Sequence, residues 1–130
     1  FSALVVVGDR KGSVGIGFGK AREVPSAVSK AVKEAKKQMV KIPIKGDTIP
    51  HIALGRFKAA SVFLKPASPG TGIKAGASAR AVLESVGIKN ILTKCYGKRN
   101  PLNVAKATLV GLRALRTKKE IEELRGVKIE

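Results

Sequence analysis

Phe1-Ser2-Ala3-Leu4-Val5-Val6-Val7-Gly8-Asp9-Arg10-Lys11-Gly12-Ser13-Val14-Gly15-Ile16-Gly17-Phe18-Gly19-Lys20 decides how this chain begins to fold. Residues 1–7 are apolar and β-branched, the pattern of a buried strand. Gly8 to Gly12 is a turn with a basic tip at Arg10 and Lys11. Residues 13–20 read as the returning strand, so the pair is a β-hairpin. Gly15, Gly17 and Gly19 alternate along one face of it. A strand missing those side chains lets another backbone come close, and an RNA backbone would fit as well as a protein one.

Working outward, a helix is predicted at about 24–40. Pro25 suits its first turn and Glu23 its positive end. Val24, Val28, Ala31, Val32, Ala35 and Met39 form one apolar stripe. Lys30, Lys33, Lys37 and Lys41 form a second. Pro43 and Gly46 then interrupt regular structure and mark a boundary between two subdomains, at 1–44 and 45–116. Strands are expected at roughly 48–57 and 61–66, joined by a turn at Lys58-Ala59-Ala60. A loop at 66–72 leads to a small-residue helix at about 76–86 that stops at Gly87. A strand at 88–96 follows. After it, Asn100 caps a helix with Pro101 at its first position, running to about 115. The tail at 117–130 alternates charges. The fold class is α+β, sheet layered against helices. The chain opens inside a strand and without Met, so its natural N-terminus is expected upstream.

Charge bounds the function. Lys plus Arg number 26 against 9 Asp plus Glu, a formal net charge of +17 on 130 residues. Residues 48–119 alone hold fourteen basic residues and one acid, Glu84. A folded chain that tolerates such self-repulsion is built to sit against a polyanion. Four Phe, one Tyr and no Trp argue against a single-strand platform of many stacked rings. Phosphate and shape reading of folded or duplex RNA is what remains. One Cys and one His exclude an internal disulfide, a four-Cys zinc site and a two-histidine metal site. No metal or cofactor is expected. The apolar runs are far too short to span a membrane, and no membrane or small-molecule substrate is expected.

Two glycine-rich segments invite a phosphate-loop reading. Gly15 to Lys20 has three residues between Gly15 and Gly19 instead of four, and Ala21 stands where Ser or Thr is needed. Pro66, Gly70 and Gly72 match the loop of small-molecule kinases, but Ile73 and Lys74 replace its serines. Catalysis is therefore not expected. The RNA-binding candidates are Arg10, Lys11, Lys20, Arg22, Lys30, Lys33, Lys37, Lys41, Lys98 and Arg99. Glu34 is the only acid on the helix body, so i,i+4 pairing does not account for the lysine stripe. Arg80, four residues before Glu84, fits either a local ion pair or a protein contact among small residues. His51 and Cys95 read as packing residues.

Several of these motifs, in register, resemble the bacterial-type small-subunit ribosomal protein five family. They are Phe1 through Gly17, Lys20-Ala21-Arg22-Glu23-Val24-Pro25, Pro66-Ala67-Ser68 with Gly70-Thr71-Gly72-Ile73, Ala79 through Glu84, and Tyr96-Gly97 with Asn100-Pro101. The resemblance runs to about residue 115. It implies a two-lobed molecule: an N-terminal double-stranded-RNA-binding-like lobe without its opening strand, then a small two-layer α/β sandwich. It implies a structural, non-enzymatic place in the small ribosomal subunit, bound to small-subunit ribosomal RNA beside ribosomal proteins four and eight. The path by which messenger RNA enters would lie nearby. Gly70, Thr71, Gly72, Ile73 and Arg80 would form the protein interface toward protein four, at which decoding accuracy is set. The ribosome would be cytoplasmic, with an organellar one as the alternative. A free-standing duplex-RNA-binding module is the other reading.

Overall fold

In a computed structural model, residues 1–98 and 100–115 are described. Strands β1 (Ser2–Gly8) and β2 (Ser13–Lys20) pair antiparallel, from Ser2 opposite Lys20 to Gly8 opposite Val14. This is the predicted hairpin. β1 is half-buried rather than buried, because only Leu4 and Val6 pack onto the core. Helix α1 (Val24–Lys37) follows, and β3 (Val40–Lys41) returns to the far edge of β2. The helix is shorter than predicted because β3 draws Val40 and Lys41 into the sheet.

The second sheet has the order β4-β5-β7-β6. Its strands are β4 (Ala53–Phe57), β5 (Ala60–Pro66), β6 (Ile73–Lys74) and β7 (Ile91–Gly97). β6 joins β7 in parallel, and the other pairings are antiparallel. Helices α2 (Ala77–Val86) and α3 (Pro101–Arg113) complete the order. Ala60 belongs to β5 rather than to the turn before it, where Lys58 takes a left-handed φ of 52°. β7 starts three residues later than expected, since the Lys89 and Asn90 amides both donate to the Asp47 carbonyl at 2.9 Å. The predicted caps are present. Gly87, at φ 104°, closes α2, and the Ile88 amide reaches back to the Leu83 carbonyl. The Asn100 side chain accepts from the Leu102 and Asn103 amides at 3.0 and 3.3 Å.

The stripe predicted for α1 is corrected. Val24 and Val28 are exposed, and the buried line is Ala27, Ala31 and Ala35. The cause lies on β2. A Cβ on Gly15, Gly17 or Gly19 would fall on the carbonyl oxygens of Ala35, Ala31 and Ala27 respectively. The glycine row and the alanine row meet backbone to backbone, so no room is left for valines between them. The glycine face is thus filled by the chain's own helix and closed to RNA. β4 repeats the device, with Gly55 set against Ala107 and Gly111 of α3.

One hydrophobic core runs through both sheets. Val14 and Ile16 of β2 share it with Val82, Leu83 and Val86 of α2, Val62 and Leu64 of β5, and Leu112 of α3. α2 sits between the sheets, touching β1 and β2 on one side and α3 on the other. The hairpin turn docks onto its C-terminal end. The Arg10 and Gly12 amides donate to the Ser85 and Val86 carbonyls, both at 2.9 Å. These bonds satisfy last-turn carbonyls that have no partner inside the helix.

Candidate nucleic-acid and protein interfaces

On α1, residues 30, 33 and 37 fall three and four apart and share one flank of the helix. Lys30, Lys33 and Lys37 are all exposed. The valines at 24 and 28 lie on the opposite flank, with the alanine line between. Glu34 forms no ion pair with the lysines. Its Oε2 accepts from the Phe18 amide at 3.4 Å, and among the described residues no ion pair involves this helix. Lys20, at the end of β2, is brought to this flank. The Lys30 ammonium donates to the Lys20 carbonyl at 3.4 Å, and the Lys20 ammonium lies 5.9 Å from the Phe18 ring centre. Arg22 is exposed just before the helix and Lys41 is exposed on β3. Lys98 is exposed beyond the end of β7, in the other sheet. Arg99 lies outside the described residues, as does the predicted tail at 117–130.

The hairpin turn holds Arg10 and Lys11 differently. Asp9 Oδ1 accepts from the Lys11 amide at 2.7 Å and from the Ser13 amide at 3.0 Å. Those two bonds, the first the stronger, hold the Asp9 carboxyl below its ordinary value of 3.8. Arg10 takes a left-handed φ of 58° to place its amide on α2. The side chains of Arg10 and Lys11 remain exposed while the turn's backbone is fixed.

The structure puts Arg10 beside the candidate protein interface. A shallow groove of about 440 Å³ is lined by Arg10, Gly72, Ile73, Arg80, Glu84 and Lys89, among others. Arg80 Nε donates to Glu84 Oε1 at 2.8 Å, with each side chain about half exposed (54% and 52%). The local ion pair is therefore present, a surface contact worth about 0.3–0.5 kcal/mol. It ties the guanidinium to its own helix beside the groove. Gly70 and Gly72 have φ of 89° and 77°, with nothing near where a Cβ would be. They are required by the backbone path, not by space. Thr71 fixes the turn by donating from its hydroxyl to the Ser68 carbonyl at 2.7 Å.

Asn90 is the residue that sequence reasoning missed. It is buried, and its Oδ1 accepts from the Gly72 amide at 3.0 Å. The Gly72 carbonyl in turn accepts from the Ile91 amide at 3.0 Å. Gly72 is thereby pinned on both sides to the start of β7. A lone Asn before a strand carries no sequence signal for this, because its partner is eighteen residues away. His51 lies in a bend rather than a strand, with Nδ1 2.9 Å from the Ile52 carbonyl. Cys95 is half-buried on β7, as packing predicts. Among the described residues no group of His, Cys, Asp and Glu could hold a metal ion.

Comparison with known proteins gives matches along most of the chain. A family model described as the N-terminal domain of ribosomal protein S5 matches residues 1–43. A second, described as the C-terminal domain of ribosomal protein S5, matches residues 55–125. A small ribosomal subunit protein uS5 from Syntrophobacter fumaroxidans is 59% identical over 126 residues, which is 97% of this chain and 76% of that protein. One of the same name from Rubrobacter xylanophilus is 53% identical over 129 residues, 99% of this chain and 64% of that protein.

Proposed function

The chain belongs to the ribosomal protein S5 family, and from that membership we infer that it is a structural constituent of the small ribosomal subunit. There it binds ribosomal RNA and takes part in translation. The mechanism is positional: exposed cations neutralise RNA phosphates, and the fold holds them in fixed register. We assign no catalytic step to the chain. Its first unit is taken as residues 1–44 and its second as residues 45–116. The ribosome concerned is proposed to be cytoplasmic.

The observation that carries the RNA reading is the lysine flank of α1. Lys30, Lys33 and Lys37 are exposed, and the one acid on their helix is occupied by a backbone amide. Lys20, Arg22 and Lys41 extend the same surface, while Lys98 and Arg99 supply a second contact. Arg10 and Lys11 are RNA contacts by charge. Arg10 also belongs, by its groove, to the face made by Gly70, Thr71, Gly72, Ile73 and Arg80. We propose that this face meets ribosomal protein four and tunes decoding accuracy. We propose that protein eight meets the same unit elsewhere and that the path of incoming messenger RNA passes nearby. A face held by Asn90, the Ser68–Thr71 turn and the docked hairpin is rigid enough for that role.

Replacing Lys30, Lys33 and Lys37 with Gln tests the first assignment. Affinity for small-subunit ribosomal RNA should fall. The slope of log affinity against log salt should flatten by up to ~0.9 for each lost duplex phosphate contact. An unchanged slope would return the flank to solvent.

A further inference from the structure

The second sheet has two unlike faces. Ala53, Gly55, Val62, Leu64 and Ile91 are buried on the inner face, and α3 packs against β4 and β5 there. No element of the described chain covers the outer face. Register builds that face in rows. Leu54 stands opposite Phe63 and Phe63 opposite Lys94. Arg56 stands opposite Ser61 and Ser61 opposite Tyr96. Lys65 stands opposite Leu92 and Leu92 opposite Lys74.

Leu54, Leu92 and Tyr96 are 45%, 37% and 51% exposed, and register gathers them on one face instead of scattering them. Arg56, Lys65, Lys74 and Lys94 are exposed between them, and no residue in these rows is acidic. An apolar face ringed only by cations complements a polyanion that also presents flat apolar surfaces. Unpaired RNA is such a partner, with phosphates for the lysines and base faces for the rings. Phe63 and Tyr96 are diagonal neighbours across β5 and β7, about 7–8 Å apart at their backbones. The Lys94 ammonium lies 5.7 Å from the Tyr96 ring centre, where a phosphate beside a stacked base would meet it.

We propose that the outer face of the β4-β5-β7-β6 sheet is a second RNA surface that takes unpaired nucleotides. Tyr96 and Phe63 stack bases there, and Arg56, Lys65 and Lys94 contact phosphates. Aromatic scarcity in the sequence argued against a stacking platform, but the sheet gathers two rings and the cations onto one face. The proposal rests on the reading that the chain binds RNA, yet it concerns a surface separate from the lysine flank of α1.

Tyr96 is the only tyrosine and the chain has no Trp, so its emission reports this face alone. The probe is a short oligomer of adenine and cytosine that forms no duplex, titrated into the full chain while anisotropy follows binding. Tyr96 emission should be quenched by this oligomer and not by duplex RNA, whose bases are already stacked. Tyr96→Ala should weaken binding about 5- to 100-fold, and Tyr96→Phe should restore it. The exposed pair Lys65→Gln with Lys94→Gln should weaken binding with the stacking residues intact. Unchanged emission at saturation overturns the proposal, as does Tyr96→Ala binding as tightly as wild type. If Tyr96→Ala binds the oligomer normally but is lost from small subunits, the face belongs to a protein neighbour and the proposal is overturned. A normal salt slope for the α1 lysines alongside any of these failures leaves the RNA reading standing. Loss of both sinks the two together.

Discussion

Asp9 holds the hairpin turn through one oxygen, and its charge is what the turn uses. Two backbone amides, from Lys11 and Ser13, converge on Oδ1 and favour the ionised form. The folded pKa is therefore below the ordinary value. Linkage fixes the sign: the stabilisation is fully present above the unfolded pKa of 3.8 and is lost as pH falls through the lower folded value. Asp9→Asn keeps an oxygen that can accept but removes the charge. Urea unfolding should show wild type more stable than Asp9→Asn at neutral pH. The gap should narrow as the solution is acidified below about 4. A gap independent of pH would show that the turn needs the shape of this side chain and not its charge.

At the scale of the element, α1 shows what the sequence could and could not disclose. Its position, its Pro25 start and its lysine flank were legible, since each depends on spacing within one segment. The alternating glycines of β2 were also legible as an invitation to a close neighbour. Which neighbour was not, because the match of Gly15, Gly17 and Gly19 to Ala35, Ala31 and Ala27 exists only once the helix folds back. Hydrophobicity alone put Val24 and Val28 in one stripe with Ala31 and Ala35, whereas steric fit keeps those alanines, adds Ala27 and leaves the two valines exposed. The loop face had the same limit. Gly70, Gly72 and Arg80 were visible, but Asn90 and Arg10 reach it only through tertiary contacts. Gly17→Ala tests the α1 contact. The added methyl meets the Ala31 carbonyl and the Ala35 amide, both backbone, so the helix must lift away. A loss of about 3 kcal/mol or more is expected in chemical denaturation, the upper end for overpacking. Val28→Ala, on the exposed flank, should cost far less. Equal losses at the two positions would contradict the packing described for α1.

For the whole molecule, the question is whether two sheets behave as two bodies or one. Sequence punctuation at Pro43 and Gly46 suggested a seam, yet the core passes through it. Val14 and Ile16 from the first sheet and Ile42 and Ile49 from the seam itself are buried together with α2. The turn adds a backbone latch: Arg10 and Gly12 donate to the end of α2, and Gly87 leaves space for the Arg10 carbonyl. A surface on α1 and a groove beside Arg80 are then fixed relative to each other, which a positional role in an RNA–protein assembly requires. Such a molecule should unfold in one cooperative step. Tyr96 emission follows the second sheet alone, while far-UV circular dichroism follows the whole backbone. The two signals should give coincident denaturation curves. Gly87→Ala attacks the latch twice, straining a φ of 104° and driving a methyl onto the Arg10 carbonyl. It should lower stability by about 1–3 kcal/mol and bring the two signals apart, with the first sheet yielding earlier. Curves that already diverge in the unsubstituted chain would mean that the shared core does not couple the sheets. Coincident curves in Gly87→Ala would assign the coupling to that core and not to the turn.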